Sequence, residues 1–309
     1  MSRIDLKGVD GSNPLGFMAA LGLLRIVPGT KLAFLDDGSY QAFVVGLDIS
    51  ESDLKKHILR LIARDVQSAR KPSAPWCFTY TKAATRKKRS EVVADLKPPP
   101  DDPNFTKFLQ GCVEAWRKGD EEAAAYAAAY FTDVAVDGKR NTKPTAFHFT
   151  AANQTFLGQV ESIRDLVTEE WVEQALFEGH AERPGTNLRW DPGSERNWAL
   201  LAEDPNKKGT RVNAPLEWLA FRGLPLLPSF PQGTRIATTG VVGRGDDMTF
   251  TWPLWSAPAS LQTTRSLLQV DWTGNAKERA ARGIFAICSS RIRRTSQGFG
   301  NFAPSAVIS

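Results

Sequence analysis

Two basic stretches hold the residues best suited to chemistry. In the first, Lys82, Arg86, Lys87, Lys88 and Arg89 follow directly on Phe78 and Tyr80. In the second, Arg291, Arg293 and Arg294 lead into Ser296, Gln297, Gly298, Phe299, Asn301 and Phe302. Arginine and lysine neutralise phosphates, glycine permits close backbone approach, and amide or aromatic side chains can touch bases. Both stretches therefore point to nucleic-acid binding, the first as a phosphate-contacting loop, the second with Gln297 and Asn301 as candidates for reading a base edge. The competing reading is a solvated charged face and a tail. A third candidate is Gly11, Ser12 and Asn13, a loop whose amides lie near a helix N-terminus and could touch nucleic acid or a neighbouring subunit. Its alternative is a tight turn before a capped core helix.

Other chemistries find little support. His57, His148 and His180 stand alone, and Cys77, Cys112 and Cys288 have no zinc-ligand spacing. Gly11 to Gly16 lacks the Gly-Lys-Ser/Thr ending of a phosphate-binding loop, and GFGNFA from Gly298 lacks the following helix of a dinucleotide fingerprint. There is no Gly-x-Ser-x-Gly elbow. Arg244-Gly245-Asp246 reads as hairpin-turn chemistry. Carboxylates are plentiful, but nothing selects a catalytic pair. The residues thus suggest no enzyme, metal or cofactor. A hydrolase or nuclease with an unidentified carboxylate site, or a protein-interaction adaptor, remain the alternatives.

The elements that position these residues begin with NPLGFMAALGLLR, where Asn13 caps a helix and Pro14 occupies its first position. The helix is apolar around nearly its whole circumference, so it is expected at the centre of the core. Gly16 and Gly22 each cost about 1 kcal/mol against alanine, which predicts that another backbone crosses closely there. Asp36-Asp37-Gly38 divides two apolar runs into a hairpin. A helix follows from Ser50 or Ser52, with a basic outer face at Lys55, Lys56, Arg60 and Arg64. Pro98, Pro99 and Pro100 then suggest an exposed stretch after the first basic run. Two helices are expected between Phe105 and Phe131, and a further helical pair between Phe156 and Phe177. In the second half, Trp, Gly and Pro suggest loops held by indole packing. Arg235–Val242 and Met248–Leu254 flank a turn as a hairpin, Ser256-Ala257-Pro258 opens a helix, and IFAICSSRIRRT reads as a strand. The class is α+β, with mixed helices and antiparallel hairpins around the buried first helix and no regular repeat. Three regions are delimited, 1–100, 101–180 and 181–309, within what can be one continuous domain.

The length of 309 residues suffices for a sizeable core. Its net charge of +5 comes from 39 basic against 34 acidic residues, so the electrostatic case rests on local clusters. Three scattered cysteines fit a reducing compartment, and the chain is read as cytoplasmic. The first apolar run follows Asp5, Lys7 and Asp10 and ends without a small-residue cleavage site, unlike a signal peptide. No stretch approaches the ~20 apolar residues of a membrane span.

Taken together, NPLGFMAALGLLR, WDPGSERNWAL with AEDP, the helix leading into GLPLLPSFP, and TFTWPLWSAP resemble the large-subunit-like proteins of type I CRISPR effector complexes (Cascade), particularly the I-G (formerly I-U) group. The resemblance spans most of the chain as scattered short blocks. It implies a non-catalytic subunit of a crRNA-guided surveillance complex that helps recognise the motif flanking the target, supports strand separation and recruits a separate helicase-nuclease. The implied partners are crRNA, target DNA, the other subunits and that helicase-nuclease, with no membrane and no cofactor. The chain is short for such a subunit and has no long C-terminal helical bundle.

Overall fold

In the computed structural model, which describes residues 2–46, 48–71, 73–82, 89–150, 153–179, 181–194, 211–274, 276–295 and 298–308, the chain is α+β. Helix α1 (Pro14–Ile26) forms its centre. Asn13 Oδ1 accepts from the amides of Leu15, at 2.8 Å, and Gly16, and every residue from Pro14 to Leu24 is buried. Both helix glycines meet the expected backbone: a Cβ on Gly16 would strike the Asp10 carbonyl, and one on Gly22 the Leu219 carbonyl. Gly223, in the helix that carries Leu219, sits just as tightly against the Met18 carbonyl. The two helices thus touch backbone to backbone.

Strand β1 (Ser2–Asp10) precedes α1, so Gly8 and Asp10, expected in a loop, belong to a strand. A register shift between Asp5 and Asp10 absorbs these turn-forming residues into the ladder. With β2 (Thr30–Phe34) and β3 (Gln41–Gly46) it makes an antiparallel sheet of order β1-β3-β2. Helix α2 (Glu51–Ser68) is capped by Ser50 and buries Leu54, Ile58, Ile62 and Val66, leaving Lys56, Arg60 and Arg64 exposed.

Strands β4 (Tyr80–Lys82) and β5 (Glu91–Val93) form a short antiparallel pair. The segment beyond them is not the exposed stretch its prolines suggest. Leu96 is fully buried, because the Ala94 carbonyl accepts from the Leu157 and Gly158 amides and the Pro98 carbonyl accepts from Thr142 at 2.8 Å. Helices α3 (Pro103–Arg117) and α4 (Glu122–Tyr130) are divided at Gly119, whose φ is +86°. Strands β6 (Phe131–Val136) and β7 (Thr142–Pro144) pair, and α5 (Phe156–Leu166) and α6 (Glu169–Glu173) follow, the latter running into a π-helical turn (Gln174–Glu178).

Strands β8 (Arg183–Pro184) and β9 (Arg211–Val212) lead to α7 (Ala214–Gly223), the partner of α1. The hairpin expected from Arg235 to Leu254 is split. β11 (Arg235–Thr238) folds back on β10 (Ser229–Gln232), and only β12 (Val241–Val242) pairs with β13 (Thr249–Trp255). Gly240, at φ +76°, and the Thr239 amide bonded to the Pro228 carbonyl turn the chain between them. Helix α8 (Leu261–Leu268) starts later than Ser256-Ala257-Pro258, since Ala259 still pairs with Leu32 and Ser260 supplies the cap. After α9 (Ala276–Ala281), β14 (Ile284–Arg294), β15 (Gly300–Phe302) and β16 (Ala306–Val307) complete a sheet of order β12-β13-β14-β15, with β16 also on β14.

Two indoles hold the C-terminal sheet to the centre, and they stand in strand β13 rather than in the loops that the second half of the sequence suggests. Trp252 Nε1 donates to the Gly11 carbonyl (2.8 Å) and Trp255 Nε1 to the Leu32 carbonyl (2.7 Å), so these large rings are buried without an orphaned donor. Phe17 on α1 stacks on Trp252 at 5.7 Å. A continuous hydrophobic cluster runs from Ile4 to Phe302. No helix among the described residues is long and apolar enough to cross a membrane.

Candidate nucleic-acid interface

Side chains alternate across a strand, and β14 uses that alternation to separate its arginines. Cys288, Ser290 and Ile292 face the core with Phe250, Trp252 and Phe302. The opposite face carries Thr249, Thr251, Ser289, Arg291, Arg293 and Asn301, brought side by side by the pairs Thr249–Arg291, Thr251–Ser289 and Arg293–Asn301. Arg291 and Arg293 are exposed. Arg291 Nε donates to the Asp246 carbonyl at 2.8 Å, and Asn301 Nδ2 reaches the Phe302 carbonyl at 3.3 Å. The result is a polar, cationic face with an amide beside a guanidinium.

Arg294 belongs elsewhere. Its guanidinium donates to the carbonyls of His148 (3.1 Å) and Ala146 (3.0 Å) and lies 5.6 Å from the centre of the Phe149 ring. The segment Thr145–Thr150 is a spine on which several distant pieces meet. Trp190 Nε1 donates to the Phe147 carbonyl at 2.9 Å, and the Gly300 amide to the Phe149 carbonyl at 3.1 Å. Arg189 and Phe299, the neighbours of Trp190 and Gly300, consequently stack, with the guanidinium 4.5 Å from the ring centre. Arg189 has φ +64°, a left-handed conformation uncommon outside glycine.

The same spine receives the segment after β5. Asp95 Oδ1 lies 2.9 Å from His148 Nε2 and accepts from the Phe156 amide at 3.0 Å. Burial opposes the Asp95 charge, but His148 and the backbone amides outweigh it and hold the carboxyl below its ordinary range. Burial pushes the His148 imidazole down against the pull of Asp95, so the ring is neutral near pH 7 with its proton on Nε2. Two residues on, Lys97 is half-buried. Burial depresses its ammonium, and Arg294 and Lys82 add to the effect, against Asp95 and Asp137. The charges acting on Lys97 thus include one residue of each basic stretch, Lys82 and Arg294, and the sequence singles out neither Lys97 nor Arg189.

Of the first basic stretch, Lys82 ends β4 opposite Glu91, and Lys82 and Arg89 are exposed. Arg86, Lys87, Lys88 and Gln297 lie outside the described residues, as do His180 and most of the WDPGSERNWAL and AEDP blocks. The Gly11–Asn13 turn is engaged within the chain. The Gly11 amide donates to the Tyr40 carbonyl, Ser12 Oγ to Asp10 Oδ1 at 2.7 Å, and Asn13 Nδ2 to Asp191 Oδ1 at 3.1 Å. Ser305 Oγ donates in turn to the Ser12 carbonyl at 2.5 Å.

Alternative chemistry can be weighed on the same geometry. Thr150 Oγ1 lies 3.2 Å from His148 Nε2, the nitrogen that already faces Asp95. A nucleophile–base–acid relay needs the two ring nitrogens to serve different partners, and this arrangement uses one. Burial pushes the thiols of Cys77 and Cys112 up to about 11 and that of Cys288 to about 12, away from reactive thiolate character. No group of three metal-ligating side chains occurs among the described residues. Comparison with protein-family models, curated proteins and solved structures finds no match to this chain.

Proposed function

We propose that this chain is a non-catalytic nucleic-acid-binding subunit of a crRNA-guided type I CRISPR surveillance complex. In this reading it contributes to recognition of the target-flanking motif, to strand separation and to recruitment of a separate helicase-nuclease. The observation that carries the nucleic-acid part is the outer face of β14, where exposed Arg291 and Arg293 line up with Thr249, Thr251 and Asn301. Arginines spaced along a strand suit backbone phosphates, and the neighbouring amide suits a base edge. The assignment to a CRISPR complex rests on the resemblance of the sequence blocks above.

Salt-dependent binding of duplex DNA by the purified chain tests the first part. Arg291→Ala and Arg293→Ala should each flatten the dependence of log affinity on log salt by about 0.9 for every phosphate that is no longer neutralised, and removing the charges of Lys87, Lys88 and Arg89 should do the same. Asn301→Ala and Gln297→Ala should instead relax the preference among flanking sequences, by roughly 1–3 kcal/mol for each base edge read, with little change in non-specific binding. Copurification with a crRNA-containing complex tests the second part. Metal-dependent cleavage of labelled DNA by the chain alone would favour a nuclease instead.

A further inference from the structure

We infer that the cavity at the far end of the β13–β14 outer face holds one unpaired base of a nucleic-acid strand whose phosphates lie along Arg291 and Arg293. The inference deepens the nucleic-acid reading above and rests on it. It starts from the register of the two strands. Their outer face runs from the pair Thr249–Arg291 through Thr251–Ser289 to Pro253–Ile287. Along that line the chemistry changes. Arg291 and Arg293 are exposed, whereas Pro253 and Ile287 are buried. Pro253 and Ile287 line a cavity of about 230 Å³ together with residues 268–272 at the end of α8. Ile287 and Arg291 are four strand residues apart, ~13 Å. Among the described residues, Arg291 meets the Asp246 carbonyl but no carboxylate, so its charge is not cancelled.

The cavity walls are apolar. Leu227, Trp252 and Trp272 line it and are buried. Trp272 is held on three sides: its Nε1 donates to the Leu267 carbonyl at 2.8 Å, its carbonyl accepts from Arg279 at 2.8 Å, and the Arg282 guanidinium lies 5.4 Å from its ring centre. Phe230, Val242 and Val270 also line the cavity and are each about half exposed, so it opens to solvent along an apolar rim. Two polar side chains of the lining are unspent. Thr239 Oγ1 donates to the Pro228 carbonyl and Thr238 Oγ1 accepts from the Ala146 amide, but neither the Thr251 hydroxyl nor the Gln269 amide makes a hydrogen bond with a described residue.

A nucleobase matches this pattern, with flat apolar faces and a hydrogen-bonding edge. Sites that accept a base out of its stack combine apolar walls with a few polar groups for that edge. A wholly apolar ligand would leave Thr251 and Gln269 without partners. A phosphate is unsuited to the cavity, because the Asp271 carboxylate lines it, held by the Thr273 amide at 2.9 Å and hydroxyl at 2.7 Å. Cations at one end of the face and a carboxylate at the other therefore sort a nucleotide strand into anionic backbone and neutral base. The backbone lies on Arg291 and Arg293, and a base turns in over Ile287.

The test uses the full chain and two short DNA strands of equal length, one natural and one abasic throughout, with binding followed against salt. Wild type should bind the natural strand on the order of tenfold more tightly. Ala237→Leu fills the cavity from a half-buried position on β11. It should bind both strands alike, at the wild-type affinity for the abasic strand, with an unchanged salt slope and a melting temperature near wild type. Arg291→Ala/Arg293→Ala should instead flatten the slope and keep the preference for the natural strand. Equal binding of the two strands by wild type, or a preference that survives in Ala237→Leu, would overturn the inference; if the arginine pair still flattened the slope, the functional reading would stand without it. Should Ala237→Leu melt well below wild type, Gln269→Ala takes its place, since that side chain is exposed and makes no hydrogen bond within the described fold. A severalfold loss of the preference is then expected, and an unchanged preference would overturn the inference. Wild type that binds neither strand would sink both readings, and stabilisation of that protein by free adenosine would make the cavity a small-molecule site instead.

Discussion

Two groups of arginines and lysines in this chain are treated in opposite ways. Between α1, α2, α4 and α7, Arg25 and Arg222 are matched by Asp65 and Glu122. Arg222 Nη2 bridges both carboxylates, Arg25 reaches Glu122 at 2.6 Å, and Trp218 Nε1 donates to Asp65 at 3.0 Å. Both guanidiniums lie near the face of Tyr126, which also accepts from Arg222. Around the Thr145–Thr150 spine, Arg294 is held by two backbone carbonyls and Arg189 lies on the Phe299 ring, neither with a carboxylate partner among the described residues, while Lys97 is acted on by Asp95 and Asp137 without a hydrogen bond to either. Contacts fix Arg222 in the first group and Arg294 in the second. The two groups differ in countercharge: carboxylates meet the first, and carbonyls and a ring meet the arginines of the second.

The largest effect is expected in the matched group. Arg222→Ala leaves Asp65 and Glu122 facing each other, with Asp65 nearly out of water, and breaking such a pair costs about 3–5 kcal/mol. Denaturant unfolding should register that loss, while the folded fraction should bind nucleic acid as wild type does. A loss under about 1 kcal/mol would mean that the match does not stabilise the fold, and the comparison would lose its first term.

Glu217 sharpens the contrast from the anionic side. It is buried on α7, accepts from the Leu188 amide at 3.2 Å and has no cation in contact among the described residues, and burial pushes its carboxyl up to about 8. A fully buried carboxyl without a cationic partner keeps its proton and stays neutral, a route to neutrality closed to arginine. Because the folded-state value lies above the ordinary 4.5, the stability linked to this proton is complete below about pH 4.5 and is lost as pH rises through about 8. Glu217→Gln preserves an acceptor for Leu188 and removes the titration. It should raise stability at pH 8 on the order of 4 kcal/mol relative to wild type and leave it nearly unchanged at pH 4.5. Parallel stability–pH curves for the two proteins would show that Glu217 does not carry this proton.

Much of the framework was legible in the sequence because it is set locally. Asn13 and Pro14 announce α1, Gly16 and Gly22 mark close backbone contacts, and the alternation in IFAICSSRIRR defines β14. The same alternation already contains the separation of Arg294 from Arg291 and Arg293, although charge alone groups all three. β1 is missed because Gly8 and Asp10 favour turns, and only pairing with β3 holds them extended. Lys97 carries no signal. It is a single lysine before three prolines, and the residue anchored near it is Asp95, held by His148 and Phe156 more than fifty residues away in the sequence. Arg189 is equally silent, since its partner Phe299 lies in another part of the chain.

The smallest effect is expected at Asn13, where the criterion of internal satisfaction meets a neutral side chain. Its oxygen accepts from Leu15 and Gly16, and its nitrogen donates to Asp191, so both ends of the amide are spent inside the protein. With both ends so partnered, such a residue serves the fold. Asn13→Ala removes an N-cap and should cost about 1 kcal/mol, read as a small drop in melting temperature. Binding by the still-folded variant should be unchanged, because the groups removed from Asn13 face its own helix and Asp191 rather than solvent. Asn13→Asp provides the control, keeping an acceptor for Leu15 while setting two carboxylates against each other at Asp191. If Asn13→Ala weakened nucleic-acid binding beyond what its stability loss explains, a fully partnered side chain would still be touching a ligand. Internal pairing would then no longer distinguish fold from function here, and the Gly11–Asn13 turn would join the interface.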